Sequence, residues 1–391
     1  MRLGDCCKTN LHTYSDKEKW SMIRYLDTGS ITEGRIDEIQ TLYPGVDKIP
    51  SRARRKASVG DILFSTVRPN QKHYGIIEAG TENLLVSTGF TVVTVDTTIA
   101  DSYFIYYYLT QSSVIESLQA IAEQSTSTYP SIKSSDIEDI ELDLPELETQ
   151  KKIGSTLRML DRKIALNEEI NDNLEQQAQS YFQELFVDNA DPEWTTGTIS
   201  DLGAVVGGST PSKAKPEYYT ESGIAWITPK DLSINKSKFV SHGENDITEL
   251  GLKNSSAAIM PEGTVLFSSR APIGYIAIAA GEVTTNQGFK SVVPKPEIGT
   301  PFVYFFLKNT LPVIEGMASG STFKEVSGST MKNVPAVIPD AETLAKFSDF
   351  CAPIFAQQRI LEEQNQSLAT LRDNLLPKLM SGEIDVSSVL L

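Results

Sequence analysis

Apolar positions along this chain follow two rhythms, and the switches between them mark out elements. Short β-rich runs at Gly60–Val67 and Leu84–Val95 are bounded by glycine, proline and asparagine, which predicts strands. A helix-like run, Ser102–Gln119, follows and carries Tyr103-Phe-Ile-Tyr-Tyr-Tyr-Leu109. Beyond Pro145, apolar or small residues recur at Ile153, Leu157, Leu160 and Ile164, then Asn167, Asn171, Leu174, Ala178, Tyr181 and Leu185. That spacing alternates four and three, which predicts a coiled-coil seam broken by polar residues near its middle. The order then repeats. Strands are expected around Gly263–Phe267 and Tyr275–Ala280, then Pro301-Phe-Val-Tyr-Phe-Phe-Leu-Lys308. After Pro339 comes a weaker seam at Phe347, Cys351, Ile354, Leu361, Asn365, Leu368, Leu375 and Leu379. The plain reading of both aromatic runs is a helix packed into its own domain core.

The repetition is literal. Shifted by 194 residues, Ser127-Thr128-Tyr129 falls on Ser321-Thr322-Phe323, Pro145 on Pro339, Lys152 on Lys346, Glu168-Glu169 on Glu362-Glu363, and Asn171 on Asn365. Twelve identities fall in the 62 ungapped positions from Ser127 to Asp188, where about one in twenty would match by chance. Upstream, Gly60-Asp-Ile-Leu-Phe-Ser echoes Gly263-Thr-Val-Leu-Phe-Ser, and Gly89-Phe90 echoes Gly288-Phe289. A period this long implies two similar domains and excludes a solenoid. The expected fold is α+β: mixed α/β domains at 1–145 and 191–339, with helical spacers at 146–190 and 340–391. The two seams should pair as an antiparallel coiled coil, a strut of about 50 Å at 1.5 Å per residue. Leu157, Leu160, Ile164, Leu174, Leu361 and Leu368 should line its interface, with Asn171 and Asn365 facing each other and fixing register.

The net charge of −16 argues at first against nucleic acid. Its distribution weakens that objection. Residues 191–339 hold 12 basic against 14 acidic groups, whereas 340–391 hold 4 against 8. Residues 1–145 hold 14 against 20, but five of those acids cluster between Asp136 and Asp143 and residues 1–135 stand at 14 against 15. Apart from that run the globular parts are near neutral, which leaves DNA permitted but not favoured. Three cysteines, two of them adjacent (Cys6 and Cys7), give no disulfide framework and fit a reducing cytoplasm. No apolar run reaches membrane-spanning length, and no charged-then-apolar leader is seen.

Catalytic patterns are missing. The chain has no Gly-x-Gly, no Pro-Pro-Tyr or Pro-Pro-Phe and no Gly-Lys-Ser/Thr, so neither S-adenosylmethionine nor a nucleotide phosphate has a recognisable cradle. Three scattered histidines give no metal-ligand spacing. No Gly-x-Ser-x-Gly elbow activates a serine.

Residues able to contact DNA are present. Arg52, Arg54, Arg55 and Lys56 precede the Gly60 strand; the alternative is a solvated, charge-balancing loop. Arg68, Asn70 and Lys72 follow that strand, and Ser269 and Arg270 hold the matching place in the second copy. The second copy adds Gly207-Gly208-Ser209-Thr210-Pro211-Ser212-Lys213, Lys215, Tyr218 and Trp226-Ile-Thr-Pro-Lys230. Glycines let backbone approach phosphate, and hydroxyls and lysines satisfy its oxygens. Taken alone, Gly-Gly-Ser-Thr-Pro could equally be a turn.

The Gly-Gly-Ser-Thr-Pro-Ser-Lys opening, Trp226-Ile-Thr-Pro-Lys-Asp-Leu232, the Gly-Asp-Ile-Leu-Phe-Ser strand and Leu371-Arg-Asp-Asn-Leu-Leu-Pro-Lys-Leu-Met-Ser-Gly-Glu-Ile384 resemble the specificity subunit of type I restriction–modification systems. The resemblance spans nearly the whole chain, although the first domain lacks the Gly-Gly-x-Thr-Pro opening. It implies a non-catalytic, cytoplasmic reader of double-stranded DNA whose two domains each read part of a split sequence. It also implies partners. Two modification subunits would use S-adenosylmethionine to methylate adenine, and ATP-driven, magnesium-dependent restriction subunits would cut unmethylated DNA. The chain itself would hold no cofactor and no metal. The competing reading is a coiled-coil scaffold whose two heads bind proteins or glycans.

Overall fold

A glycine with positive φ introduces the central strand of each domain. Gly60 (φ +89°) precedes Ile62–Ser65, and Gly263 (φ +82°) precedes Val265–Ser269. A side chain at either position would meet left-handed strain, which explains why both copies keep glycine there. The computed structural model describes residues 1–125, 129–320 and 324–386. The matching Ser127-Thr128 and Ser321-Thr322-Phe323 therefore lie outside the described residues.

The chain forms two compact units, Met1–Ile164 with Ser367–Leu391, and Ala165–Gln366. Each takes in part of both long helices, Leu147–Gln183 and Ala341–Met380.

In the first unit a four-stranded antiparallel sheet runs in the order Cys7–Thr9, Phe90–Val95, Ile62–Ser65, Tyr74–Ile76. A second, mixed sheet runs Gln40–Leu42, Ile23–Leu26, Leu84–Ser87, Ala53–Lys56. The run expected as one strand over Leu84–Val95 is thus two strands in different sheets, broken at Thr88-Gly89. The aromatic run ends at Leu109 and a second helix covers Ser112–Glu123; the Thr110 hydroxyl donates to the Tyr107 carbonyl across the break at 3.2 Å. Phe104, Ile105, Tyr106 and Tyr107 are buried with Ile153 and Leu157 of the first long helix and Leu379 of the second. Asp161 accepts from Arg372 at 2.7 Å, an antiparallel pair between the helices.

In the second unit a five-stranded sheet runs Gly203–Gly207, Lys290–Pro294, Val265–Ser269, Ile273–Ala279, Phe239–Val240. Its first four members repeat the order of the first unit's antiparallel sheet, and the fifth is an added parallel edge strand. The helix Thr300–Gly316 lies beneath, with Phe302 and Phe305 buried against Ala178, Phe182 and Phe347. Side-chain partners run in opposite directions along the two helices: Asn167 with Asn365, Glu175 with Gln358, Tyr181 with Phe350, Phe186 with Phe347.

Leu157, Leu160, Ile164, Leu174, Leu361 and Leu368 are all at least partly buried, Leu157 and Leu361 most deeply among them. The asparagine pairing is corrected. Asn365 accepts from Asn167 at 2.8 Å, one turn before Asn171. Asn171 instead offers its carbonyl to Gln358 at 3.1 Å. Packing of Tyr181, Phe182 and Phe186 on Phe347 and Phe350 sets the register, and it falls one turn away from equivalence of the sequence copies.

Phe182 meets the rings of Phe186, Phe302, Phe305 and Phe347 with centroids 5.1–6.0 Å apart. Phe182→Ala is expected to destabilise this unit by about 3–5 kcal/mol, read as loss of its thermal transition with the first unit's retained.

Candidate nucleic-acid interface

Five segments far apart in sequence line one cavity of about 510 Å³ in the second unit. Thr210 and Lys213 come from the Gly-Gly-Ser-Thr-Pro-Ser-Lys loop. Trp226, Thr228 and Lys230 come from the second motif, and Arg270 from the end of the central strand. Asn245, Asn286 and Gln287 complete the wall.

Local chemistry fixes each part. A Cβ at Gly208 would fall 2.0 Å from the Asn286 carbonyl oxygen and 2.4 Å from that of Thr285, so this loop can lie against its neighbour only with glycine there. Ser209 N–H donates to the Thr285 carbonyl at 2.8 Å, and Trp226 Nε1 donates to the Ser209 carbonyl at 3.0 Å. The Thr210 hydroxyl bonds to Gln287. Thr228 opens the helix Pro229–Ile234, and its N–H and hydroxyl both donate to Asp231, at 2.7 and 2.6 Å. That cap presents Lys230 to solvent.

The cavity is amphoteric. Lys230 pairs with Glu244 at 2.6 Å, which holds its pKa above the usual lysine value. Arg270 lies 3.4 Å from Glu325, and Lys290 approaches the same carboxylate at 3.8 Å. Burial pulls the Lys290 pKa down against the attraction of Glu325. Lys213 has no ion-pair partner among the described residues. Donors and acceptors thus alternate around one concave surface, which suits recognition of base edges better than a purely cationic groove would.

Two proposed contacts of this unit are corrected. Ser269 is fully buried, and its N–H and hydroxyl both donate to the Gly288 carbonyl, at 2.7 and 3.1 Å. Thr66 makes the same pair of bonds to Gly89 in the first unit, at 2.8 and 2.9 Å. The residue is a structural fastener in both copies. Tyr218 is buried under the helix Glu249–Lys253, where its carbonyl accepts from Thr248 at 3.0 Å. Lys215 lies over its ring and pairs with Glu217 at 3.6 Å.

In the first unit the basic cluster lies on a strand, Ala53–Lys56, with Arg52 exposed at the turn before it. Arg54 lines a separate cavity with Tyr14 and Trp20. Arg55 is partly buried and desolvation lowers its pKa; its Nη1 has no hydrogen-bond partner among the described residues. Lys56 is tethered to Glu18 at 2.5 Å and lies over the Trp20 ring. Arg68 and Asn70 are exposed on the loop after Ile62–Ser65, and Arg68 lies over the Tyr129 ring. Lys72 pairs with Glu33 at 2.5 Å. The two groups stand on different sheets, the first on the strand Ala53–Lys56 and the second after the strand Ile62–Ser65.

The domain model of the type I restriction modification DNA specificity domain matches the chain twice, over residues 3–176 and 192–371. The chain belongs to this family. It is 25% identical over 457 aligned residues to the type I restriction enzyme HindI specificity subunit of Haemophilus influenzae, covering 98% of each chain. It is 39% identical over 194 residues to the MjaIX specificity subunit of Methanocaldococcus jannaschii, covering 47% of this chain and 45% of that one. The crystal structure of the type I restriction–modification S subunit from M. genitalium shares its fold, with a TM-score of 0.59 at 17% identity over 97% and 95% of the two chains. A type I specificity subunit recognises DNA and is not the catalytic component; the scaffold reading is not favoured. No helix among the described residues is long and apolar enough to cross a membrane.

The cavity residues that sequence reasoning left out are Glu244, Asn245, Asn286 and Gln287. Asn286-Gln287 sits directly before the Gly288-Phe289 echo, a usable signal for backbone position though not for side-chain direction. Gly208→Ala is expected to push the loop off Asn286, costing about 1–3 kcal/mol of local stability. Hydrogen exchange should show protection lost at Ser209 with the central sheet unchanged.

Proposed function

We propose that this specificity subunit reads a split, asymmetric double-stranded DNA sequence through the major groove, one part with each head. The second head reads with Thr210, Lys213, Lys230, Arg270, Asn286 and Gln287. The first head reads with Arg52, Arg54, Arg68 and Asn70. The observation that carries this reading is the convergence of five distant segments on one amphoteric cavity, in a chain whose family is defined by DNA specificity.

The chain works in the cytoplasm within a larger assembly. Two modification subunits supply S-adenosylmethionine-dependent adenine methylation, and restriction subunits supply ATP- and magnesium-dependent cleavage. Exposed apolar side chains on the long helices support docking of partners there: Leu166 and Ile170 are 46% and 43% exposed one turn apart. Apolar groups at that spacing on a solvated helix face form a stripe that a partner helix can cover.

In the assembled methyltransferase, Arg270→Ala should cost about 1–3 kcal/mol of binding and relax one position of the second half-site. Lys213→Ala should weaken all sequences alike and flatten the salt dependence. Methylome sequencing and titrations at several salt concentrations separate these outcomes; unchanged affinity and specificity in both variants would overturn the assignment of this cavity. Leu166→Glu with Ile170→Glu should leave the isolated chain folded by circular dichroism yet abolish co-purification with the modification subunit.

A further inference from the structure

Inside the second unit, one ion cluster built around the buried Lys238 joins the head to the helices. Lys238 precedes the added edge strand Phe239–Val240, and its side chain is 6% exposed. Its ammonium pairs with the Glu175 carboxylate of the first long helix and donates to Gln358 of the second at 2.6 Å. Lys308, from the helix Thr300–Gly316, reaches the other Glu175 oxygen at 2.5 Å, and the Tyr304 hydroxyl donates to it at 3.1 Å. The N–H groups of Lys238 and Phe239 donate to Glu362 at 2.7 and 3.0 Å. The Lys238 ammonium also lies 4.1 Å from the centre of the Phe355 ring. In each of these contacts the helices supply the acceptor and the head supplies the donor. Burial pushes Glu175 up, but the two lysines outweigh it and hold it below the usual carboxylate range.

The first unit neutralises its helix acid differently. Asp161 takes Arg372, a residue of the second long helix, and the head gives that carboxylate a neutral hydroxyl, from Tyr107 at 2.6 Å. Helix supplies cation to helix there. In the second unit both cations on Glu175 come from the head.

We infer that Lys238, Lys308 and Glu175 are positioning residues for the second head, and that they restrict which heads can occupy this place. Lys238 and Lys308 lie within 191–339 and would leave in an exchange of that segment, while Glu175, Gln358 and Glu362 would stay. A replacement head must therefore bring cations to Glu175. Glu175 is largely withdrawn from water, its side chain 21% exposed, so leaving it without a counter-charge is destabilising, and several charge-assisted hydrogen bonds from one strand and one helix fix orientation as well as attachment. Arg359 reinforces the contact by donating to Glu262 at 2.6 Å and to the Ala280 carbonyl at 3.0 Å, but it does not touch Glu175 among the described residues.

The DNA readout of this inference rests on the two-part reading proposed above. The experiment uses the assembled methyltransferase with Lys238→Met/Lys308→Met, and the same pair combined with Glu175→Leu. Two quantities are measured: the melting temperature, and the methylation ratio between the native gap and gaps one base pair longer or shorter. The double variant should melt about 10 °C lower. Glu175→Leu in that background should recover most of this loss by removing the stranded acid. The gap preference should fall about tenfold in both variants, because the fixed pose is gone even where stability returns. A melting temperature unchanged in the double variant would overturn the requirement for cations. A gap preference unchanged in the stable triple variant would reduce the cluster to a structural role and overturn its positioning. A wild-type complex indifferent to the gap would overturn the two-part reading itself, and the positioning role with it.

Discussion

Everything in this chain depends on one burial requirement. Each head carries an aromatic helix whose second face its own sheet cannot cover, and the long helices cover it. Phe302 and Phe305 are sealed by Phe182 and Phe347, and Phe104 and Tyr107 share a core with Ile153, Leu157 and Leu379. A side chain such as Phe347 thus serves the head core and the helix pair together. That double duty explains why the seam of the second helix looks weak as a coiled coil: several of its positions answer to a head as well as to a helix.

The duplication made much of the fold legible. A glycine with positive φ, a strand, a returning glycine and an aromatic helix recur in the same order because both copies solve the same packing problem. Legibility failed where the copies solve it differently. Asn171 and Asn365 match in sequence but do not pair, since ring packing at Phe347 and Phe350 decides the register and Asn167 meets Asn365 instead. The edge strand Phe239–Val240 gave no period to detect, being two residues long.

The site was legible as loops and motifs, less so as individual contacts. Thr210, Lys213, Lys230 and Arg270, picked out by residue type and motif as separate candidates, line one cavity. Ser269 shows the limit of that reasoning. A serine beside an arginine after a strand looks like a surface donor, yet in this strand its hydroxyl points inward and closes on a carbonyl. Tyr218 fails for a related reason, since an aromatic ring next to lysines packs under a short helix when one is available. Sequence reports which groups exist; alternation along a strand and the nearest apolar cover decide which reach water.

The recurrent tethering of cations has a thermodynamic consequence. Lys56, Lys72, Lys230 and Arg270 each lie within ion-pair distance of a carboxylate of their own head. Were DNA to dock on these cations, as the reading proposed above has it, each carboxylate would act as a resident counterion that phosphate must displace, and part of the electrostatic gain would be spent exchanging one anion for another. Sliding over arbitrary sequence would then be weakened more than docking at a site where base edges add their own bonds. An acidic protein can in this way trade affinity for the backbone against contrast between sequences.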